Sequence, residues 1–446
     1  MQLPETFISR TKALLGKEWD AFEQALHREQ PTSIRLNPQK TEGDFLLRAG
    51  FETESPVPWA SDAYYLRSRP VFTLDPHFHA GCYYVQEASS MFLEHFIKNY
   101  VREPVKALDL CAAPGGKSTH LSAILPEGSL LVANEAIRPR ANILSENLTK
   151  WGNPQTVVTG SYPADIGKLQ SFFDLIVCDL PCSGEGMFRK DPAAIAEWSV
   201  RNVKLCAGRQ RQIIGDIFPA LKPGGILIYS TCTYNREENE DNIDRICTEL
   251  EMELLEKPHR FMPHQTKGEG FFIAALRKNF SRSLSFPRKR ESHDNPSFLH
   301  GIPAFAGMTG RCEKWLSAPD HYTFFSENNL FFAFPAEHYK EYLFLKKSLK
   351  IVSAGITLGE VKGKDLIPNH ALAMSTALSE TAFPRWDSDR ETALKYLRKE
   401  TLQNVPAEIP LGFVIVTYQN RPLGFIKNIG NRANNLYPQA WRIRNL

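Results

Sequence analysis

Two cysteines, Cys182 and Cys232, each follow the end of a very apolar run, FDLIVCDLP and GGILIYSTC, and polar residues come directly after both. A cysteine is commonly a small buried hydrophobe, and Cys178, Cys206 and Cys247 read that way. A thiol just past a strand end, where α/β folds place their chemistry, is better explained by nucleophilic catalysis. Asp179 adds a carboxylate at the same edge. A third run, VKALDL, leads through Cys111, Ala112, Ala113, Pro114, Gly115 and Gly116 into a helix that opens at Lys117. Small residues at such a turn let the backbone approach a ligand, and the helix start offers unpaired N–H groups. Gly116-Lys117-Ser118 matches the end of a nucleotide phosphate loop, but Cys111 stands where that motif requires its first glycine. Glu135 closes the next run, 20 residues beyond Gly115, where a doubly wound fold places an acidic residue for ribose hydroxyls. An adenosyl cofactor beside thiol chemistry fits this set.

The elements that must position these residues are legible as a pattern. From about Gln86, short apolar runs (VKALDL, SLLVANE, TVVTG, FDLIVCDLP, GGILIYSTC) alternate with helical stretches. That alternation predicts a doubly wound, Rossmann-like α/β domain with a largely parallel sheet, and FFIAAL adds one more strand. The first eighty residues mix helical periodicity with the extended segment SIRLNP, predicting a small α+β leader. After Lys278 periodicity disappears, so Asn279 to Cys312 is expected to be an irregular insertion or linker. Its basic portion suits either phosphate contact or plain solvation. Short runs separated by Gly and Pro turns then predict a small β-rich domain of barrel type. The expected division is 1–80, 81–278, 279–312 and 313–446.

Composition narrows the function classes. With 446 residues, 42% hydrophobic and 23% charged, the chain is neither a disulfide-stapled miniprotein nor disordered throughout. Glu5 and Arg10 interrupt the region where a signal peptide needs continuous apolarity, and no run approaches the roughly 18 apolar residues of a membrane span. Eight cysteines without a CxxC pair favour neither a disulfide framework nor a zinc ribbon, so a reducing cytoplasm is expected. The net charge of +3 hides an asymmetry: Lys340 to Leu446 carries 16 Lys and Arg against 9 Asp and Glu. From Ile409 onward stand Arg421, Lys427, Arg432, Arg442 and Arg444 and no carboxylate side chain. Such an end is either a nucleic-acid footprint or a solvated face.

DLCAAPGGKS, DLPCSGEGMFRKDP and YSTCTYNREENE together closely resemble the Sun family of S-adenosylmethionine-dependent RNA cytosine-5 methyltransferases, particularly its bacterial branch acting on small-subunit ribosomal RNA. YVQEASSM and HQTKGEGFFIA extend the resemblance over most of Tyr84 to Lys278. SIRLNPQK resembles the RNA-contacting leader of these enzymes, and NHALAMS and NNLYPQAWRIR resemble their PUA-like RNA-binding domain. The resemblance implies that Cys111 to Lys117, Glu135, Arg140 and Asp179 line an S-adenosyl-L-methionine site. It implies that Cys232 is the nucleophile, that Cys182 assists release, and that Asp179 and Lys117 hold the cytosine. TGSYP (Thr159 to Pro163) departs from the family's pattern, so no cofactor contact is assigned there. The expected partner is ribosomal RNA in the small subunit or an assembly intermediate, met by a monomer, with no membrane and no catalytic metal. Transfer RNA is the alternative substrate. A DNA cytosine methyltransferase, with Cys182 as nucleophile, and a non-catalytic assembly factor are the rival readings.

Overall fold

The computed structural model describes residues 2–280 and 306–444 apart from positions 364, 404 and 431. Most of the expected insertion, residues 281–305, lies outside the described residues. Ala306–Glu313, which the sequence pattern leaves irregular, is helical. Its residues, AGMTGRCE, have no apolar stripe, and the periodicity test has nothing to register on them.

At the centre lies a nine-stranded sheet. From edge to edge its strands are Met252–Leu254, Phe271–Lys278, Leu221–Thr231, Phe173–Asp179, Lys106–Asp109, Leu130–Asn134, Thr156–Thr159 and Ile351–Ala354, with His259–Phe261 also paired to Phe271–Lys278. The five strands from Lys106–Asp109 to Leu221–Thr231 run parallel. Both sheet faces are covered. Leu108, Ile176, Cys178, Leu227 and Tyr229 enter one apolar cluster, while Ala107, Leu175, Val177, Ile226 and Ile228 enter another. Alternation between two buried faces is the reason these strands read as continuous apolar runs.

The strand Ile351–Ala354 lies antiparallel on Thr156–Thr159, and Tyr342, Leu345 and Leu349 before it join the apolar cluster under the sheet. The expected boundary at residue 313 therefore does not mark the limit of the catalytic sheet. A run such as VSAG declares a strand but not its partner, because pairing across so long a separation leaves no local trace.

The leader contributes helices Glu5–Leu15 and Trp19–Leu26 and a four-stranded antiparallel sheet, ordered Thr53–Pro56, Ala63–Leu66, Thr32–Leu36, Tyr83–Val85. It therefore runs past residue 80. The segment expected to touch RNA points inward, since Thr32 through Asn37 are all buried. Arg35 donates to Gln86 Oε1 (3.0 Å) and Thr119 Oγ1 (2.7 Å) and lies over the Trp151 ring. Asn37 and Lys40 donate to the carbonyls of Trp151 (2.9 Å) and Lys150 (2.6 Å), the last residues of the helix Arg138–Trp151. An amide and a cation at a helix C-terminus satisfy its orphan carbonyls. The motif is thus a clasp between leader and catalytic domain.

C-terminal to the linker are two more sheets. One is antiparallel, ordered Tyr322–Glu327, Leu330–Pro335, Ile356–Lys362, Asp365–Pro368; the other is ordered Arg385–Ser388, Gly412–Tyr418, Arg421–Asn428, Arg432–Asn435, Leu402–Gln403. The hairpin turns at Asn328-Asn329 and Gln419-Asn420 have φ of 51° and 65°, and 47° and 62°. Two successive left-handed residues match the strand twist, which is why asparagine recurs there.

Candidate active site

The strand ends deliver three loops to one edge of the sheet. The first runs from Asp109 to the helix Gly116–Ile124. Gly115 sits at φ 121°, a conformation that favours glycine. Asn134 knits the neighbouring strand ends together: its amide donates to Leu110 O and Ser161 O, both at 3.0 Å, while its Oδ1 accepts from Thr159 Oγ1 (2.8 Å) and Ser161 N (2.9 Å). Glu135, at the same strand end, accepts from Ile137 N (3.0 Å) and faces Arg140 at 3.4 Å. Arg140 in turn donates to Ala113 O at 3.0 Å, joining the acidic strand end to the small-residue turn. Ser161, in the TGSYP segment, accepts from Lys350 N at 3.0 Å, so its hydroxyl is already engaged.

Asp109 is fully buried, and its Oδ2 accepts from Ser118 Oγ at 2.6 Å. Its Oδ1 has no partner. Burial pushes its carboxyl up to about 7, against the opposing pull of Ser118 and Lys117. A buried oxygen left unsatisfied beside a glycine turn, with a second carboxylate at Glu135, is an acceptor set that the ammonium and ribose hydroxyls of a cofactor would complete. These residues fit such a group.

The second and third loops carry the thiols. Cys182 Sγ and Cys232 Sγ lie 3.0 Å apart. Beside them Asp179 and Ser230 are register partners on adjacent strands. Asp179 accepts from Ser230 Oγ at 2.9 Å and pairs with Lys117 Nζ at 2.8 Å. Lys117, 11% exposed, comes from the helix start after the Gly115-Gly116 turn and ties that loop to the thiol loops. Burial works against its charge, but the Asp179 carboxylate outweighs it and holds Lys117 above the ordinary lysine value. The hydrogen bond with Cys232, and burial after it, push the Cys182 thiol well up. Burial also pushes the Cys111 thiol up to about 12, though the residue stays partly exposed at the turn, while Cys178 is wholly buried and is a core thiol. Cys206 is buried as expected, whereas Cys247 is only partly covered.

The sequence reading does not single out the two carboxylates that hold this pair. Glu185, from the loop of Cys182, reaches across to the loop of Cys232: it accepts from Thr233 Oγ1 (2.7 Å), Tyr234 N (2.8 Å) and Asn235 N (2.9 Å), and from Trp198 Nε1 (3.0 Å). Glu238, from the loop of Cys232, reaches back to accept from Ser183 N (3.0 Å), with Gln210 and Asn235 also donating at 2.8 Å. Each loop is thus fixed by the other's carboxylate. Gly186 N donates to Cys232 O at 2.9 Å, and a Cβ at Gly186 would come within 2.5 Å of Gly270 O. Only glycine allows that approach. An acidic residue shortly after each cysteine is the signal in the sequence, and it is silent on which loop the carboxylate serves.

Residues 100–277 match the family described as 16S rRNA methyltransferase RsmB/F, residues 3–88 match the N-terminal domain of 16S rRNA methyltransferase RsmF, and residues 383–443 match the methyltransferase RsmF PUA domain. Ribosomal RNA small subunit methyltransferase F of Cronobacter sakazakii is 30% identical, over 98% of this chain and 96% of that protein. The protein of the same name from Salmonella arizonae is 31% identical, over the same shares of each chain. A methyltransferase homolog protein from Pyrococcus horikoshii, 29% identical, superposes with a TM-score of 0.55 over 62% of this chain and 95% of its own. The leader, catalytic and C-terminal portions each match, the likeness extends along nearly the whole length, and the chain belongs to the RsmB/F family of 16S rRNA methyltransferases.

Proposed function

We propose that the protein methylates C5 of a cytosine in small-subunit ribosomal RNA, with Cys232 as nucleophile and Cys182 assisting its release. The observation that carries this reading is the thiol pair 3.0 Å apart beside the Lys117–Asp179 ion pair. S-adenosyl-L-methionine, held by Cys111 to Lys117, Glu135 and Arg140, supplies the methyl group when bound.

Cytosine C5 is a poor nucleophile while the ring is aromatic. The Cys232 sulfur attacks C6, forming a C–S bond and leaving C5 enamine-like. Asp179 hydrogen-bonds the base, and charge developing toward N3 is answered jointly by Asp179 and its neighbour Lys117. After C5 is methylated its proton passes to water, the electrons of that C–H bond form the C5–C6 double bond, the C–S bond breaks, and its electron pair returns to Cys232. Cys182, 3.0 Å from Cys232, stands where it can stabilise that departing sulfur, which suits an assisting role.

The target base must leave its stack to reach this edge, so the substrate region is single-stranded or readily opened. The basic C-terminal unit supplies phosphate affinity, and the enzyme works as a monomer in a reducing cytoplasm on the subunit or an assembly intermediate. No helix among the described residues is long and apolar enough to cross a membrane. Bisulfite mapping of ribosomal and transfer RNA from cells with and without the gene tests the reading. One small-subunit cytosine should lose its mark, whereas loss confined to transfer RNA would reassign the substrate.

A further inference from the structure

Two strands over from the one that leads into Cys232, two histidines and a glutamate converge from separate segments. His95 lies on the helix Leu93–Tyr100, and Glu256 and His259 lie where the chain enters the strand His259–Phe261. His95 Nε2 is 2.8 Å from Glu256 Oε1, and His259 Nε2 is 3.0 Å from the same oxygen. Among the described residues this is the one group of three such ligands within mutual reach. We propose that His95, Glu256 and His259 form a binding site for a divalent first-row transition ion, Zn2+ in the first instance.

The geometry is close to what the ion needs. Zinc bonds to imidazole nitrogen and carboxylate oxygen are about 2 Å long, so tetrahedral ligand atoms sit about 3.3 Å apart. The two N–O separations fall just short of that, and a slight opening of the cluster admits the ion. Two nitrogens and one oxygen are a borderline donor set that suits zinc and its neighbours and disfavours Mg2+ and Ca2+. The surroundings behave as support for ligands. Tyr100 Oη donates to Glu256 Oε2 at 3.1 Å, leaving Oε1 for the shared position. The Phe92 ring stacks on His95 at 4.8 Å and lies 4.4 Å from His259, limiting the freedom of both imidazoles. The three side chains are 33%, 26% and 38% exposed, which leaves room for a water as fourth ligand.

A hydrogen-bonded clasp without metal is the competing account, since one carboxylate oxygen can accept from two imidazoles. Either way the cluster joins a helix to the strand His259–Phe261, which pairs with Phe271–Lys278, which pairs with the strand that ends beside Cys232. An ion there would brace that edge of the sheet.

The test is calorimetric titration of Zn2+ into the reduced, chelator-treated full chain, alongside His259→Ala and Glu256→Gln, with Co2+ absorption to report ligand type. Thiols also bind zinc, so ligand type matters. The expected result is one equivalent of Zn2+ that both variants lose, a cobalt spectrum free of sulfur-to-metal charge transfer, and a zinc-dependent rise in Tm confined to the parent chain. Glu256→Gln keeps an acceptor oxygen, so it preserves the comparison even if His259→Ala fails to fold. No bound Zn2+, equal stoichiometry in all three chains, or a spectrum of thiolate ligation only would each overturn the proposal.

Discussion

At the thiol edge of the catalytic sheet, Glu185 and Glu238 are buried and each accepts from at least three donors, whereas in the C-terminal unit Arg432 and Arg444 stand exposed. Among the described residues neither arginine has an ion-pair partner, and Lys427 alone of the basic end does, at 3.1 Å from Asp365. A buried charge fully answered by hydrogen bonds fixes atoms in place, because leaving any of those donors unpaired is costly. An exposed charge fixes little and keeps its attraction for a partner that arrives from solution. One region is built to hold two sulfurs at a set distance; the other leaves its charges free for the phosphates proposed to meet them.

The comparison breaks most visibly at the thiols. Cys232→Ala should abolish both methyl transfer and any covalent complex with RNA. Cys182→Ala should still permit attack but stall release, accumulating an adduct that survives denaturing electrophoresis. An adduct in the Cys232→Ala lane would reverse the assignment, and no adduct in either lane would reduce both cysteines to core residues.

The next effect lies in the crossed carboxylates. Glu185→Ala strips at least three buried donors of their acceptor at about 1–3 kcal/mol each, so urea unfolding should show a loss upward of about 3 kcal/mol. A loss comparable to that of a surface change would mean the loops are held by something else.

Asp109 gives a pH-dependent test. Its folded value of about 7 is raised above the ordinary carboxyl value, so the folded state binds this proton more tightly than the unfolded one. Its contribution to stability is therefore full below about pH 4 and is lost as pH rises to about 7, a swing of up to about 4 kcal/mol. Asp109→Asn should flatten that part of the stability profile relative to the parent chain. Parallel profiles would show that Asp109 titrates as it would in water.

Glu135→Ala should weaken S-adenosyl-L-methionine binding by about 1–3 kcal/mol in calorimetry if it holds the ribose. An unchanged affinity would move that contact elsewhere. The smallest effect is expected from the exposed charges. Changing Arg432, Arg442 and Arg444 to Ala should leave cofactor binding unaltered and lower the slope of log affinity against log salt by about 0.7 per lost contact to single-stranded RNA. An unaltered slope would make this a solvated face.

The candidate residues are legible in the sequence because strand ends are marked by composition. Cys182, Cys232, Asp179 and Glu135 fall where apolar runs stop, Lys117 opens the helix after one, and the structure brings them to one edge. What escaped reading depends on contacts across the chain. Arg35 and Asn37 look like surface residues of a leader until their partners, Thr119 and the end of a helix at Trp151, are known. Asn134 and the crossed glutamates are polar residues in apolar surroundings, and only their hydrogen bonds distinguish them from surface side chains.

The antiparallel strand Ile351–Ala354 has a consequence during synthesis. Its partner, Thr156–Thr159, leaves the ribosome about 190 residues earlier, and until Ile351 follows, that side of the parallel sheet is an open edge of unpaired amides and carbonyls. The nascent domain thus spends much of its translation with a β-edge available to other chains. Slower elongation through the intervening region lengthens that exposure, and ribosome-bound chains truncated before residue 351 should be more prone to aggregate than chains truncated after 354.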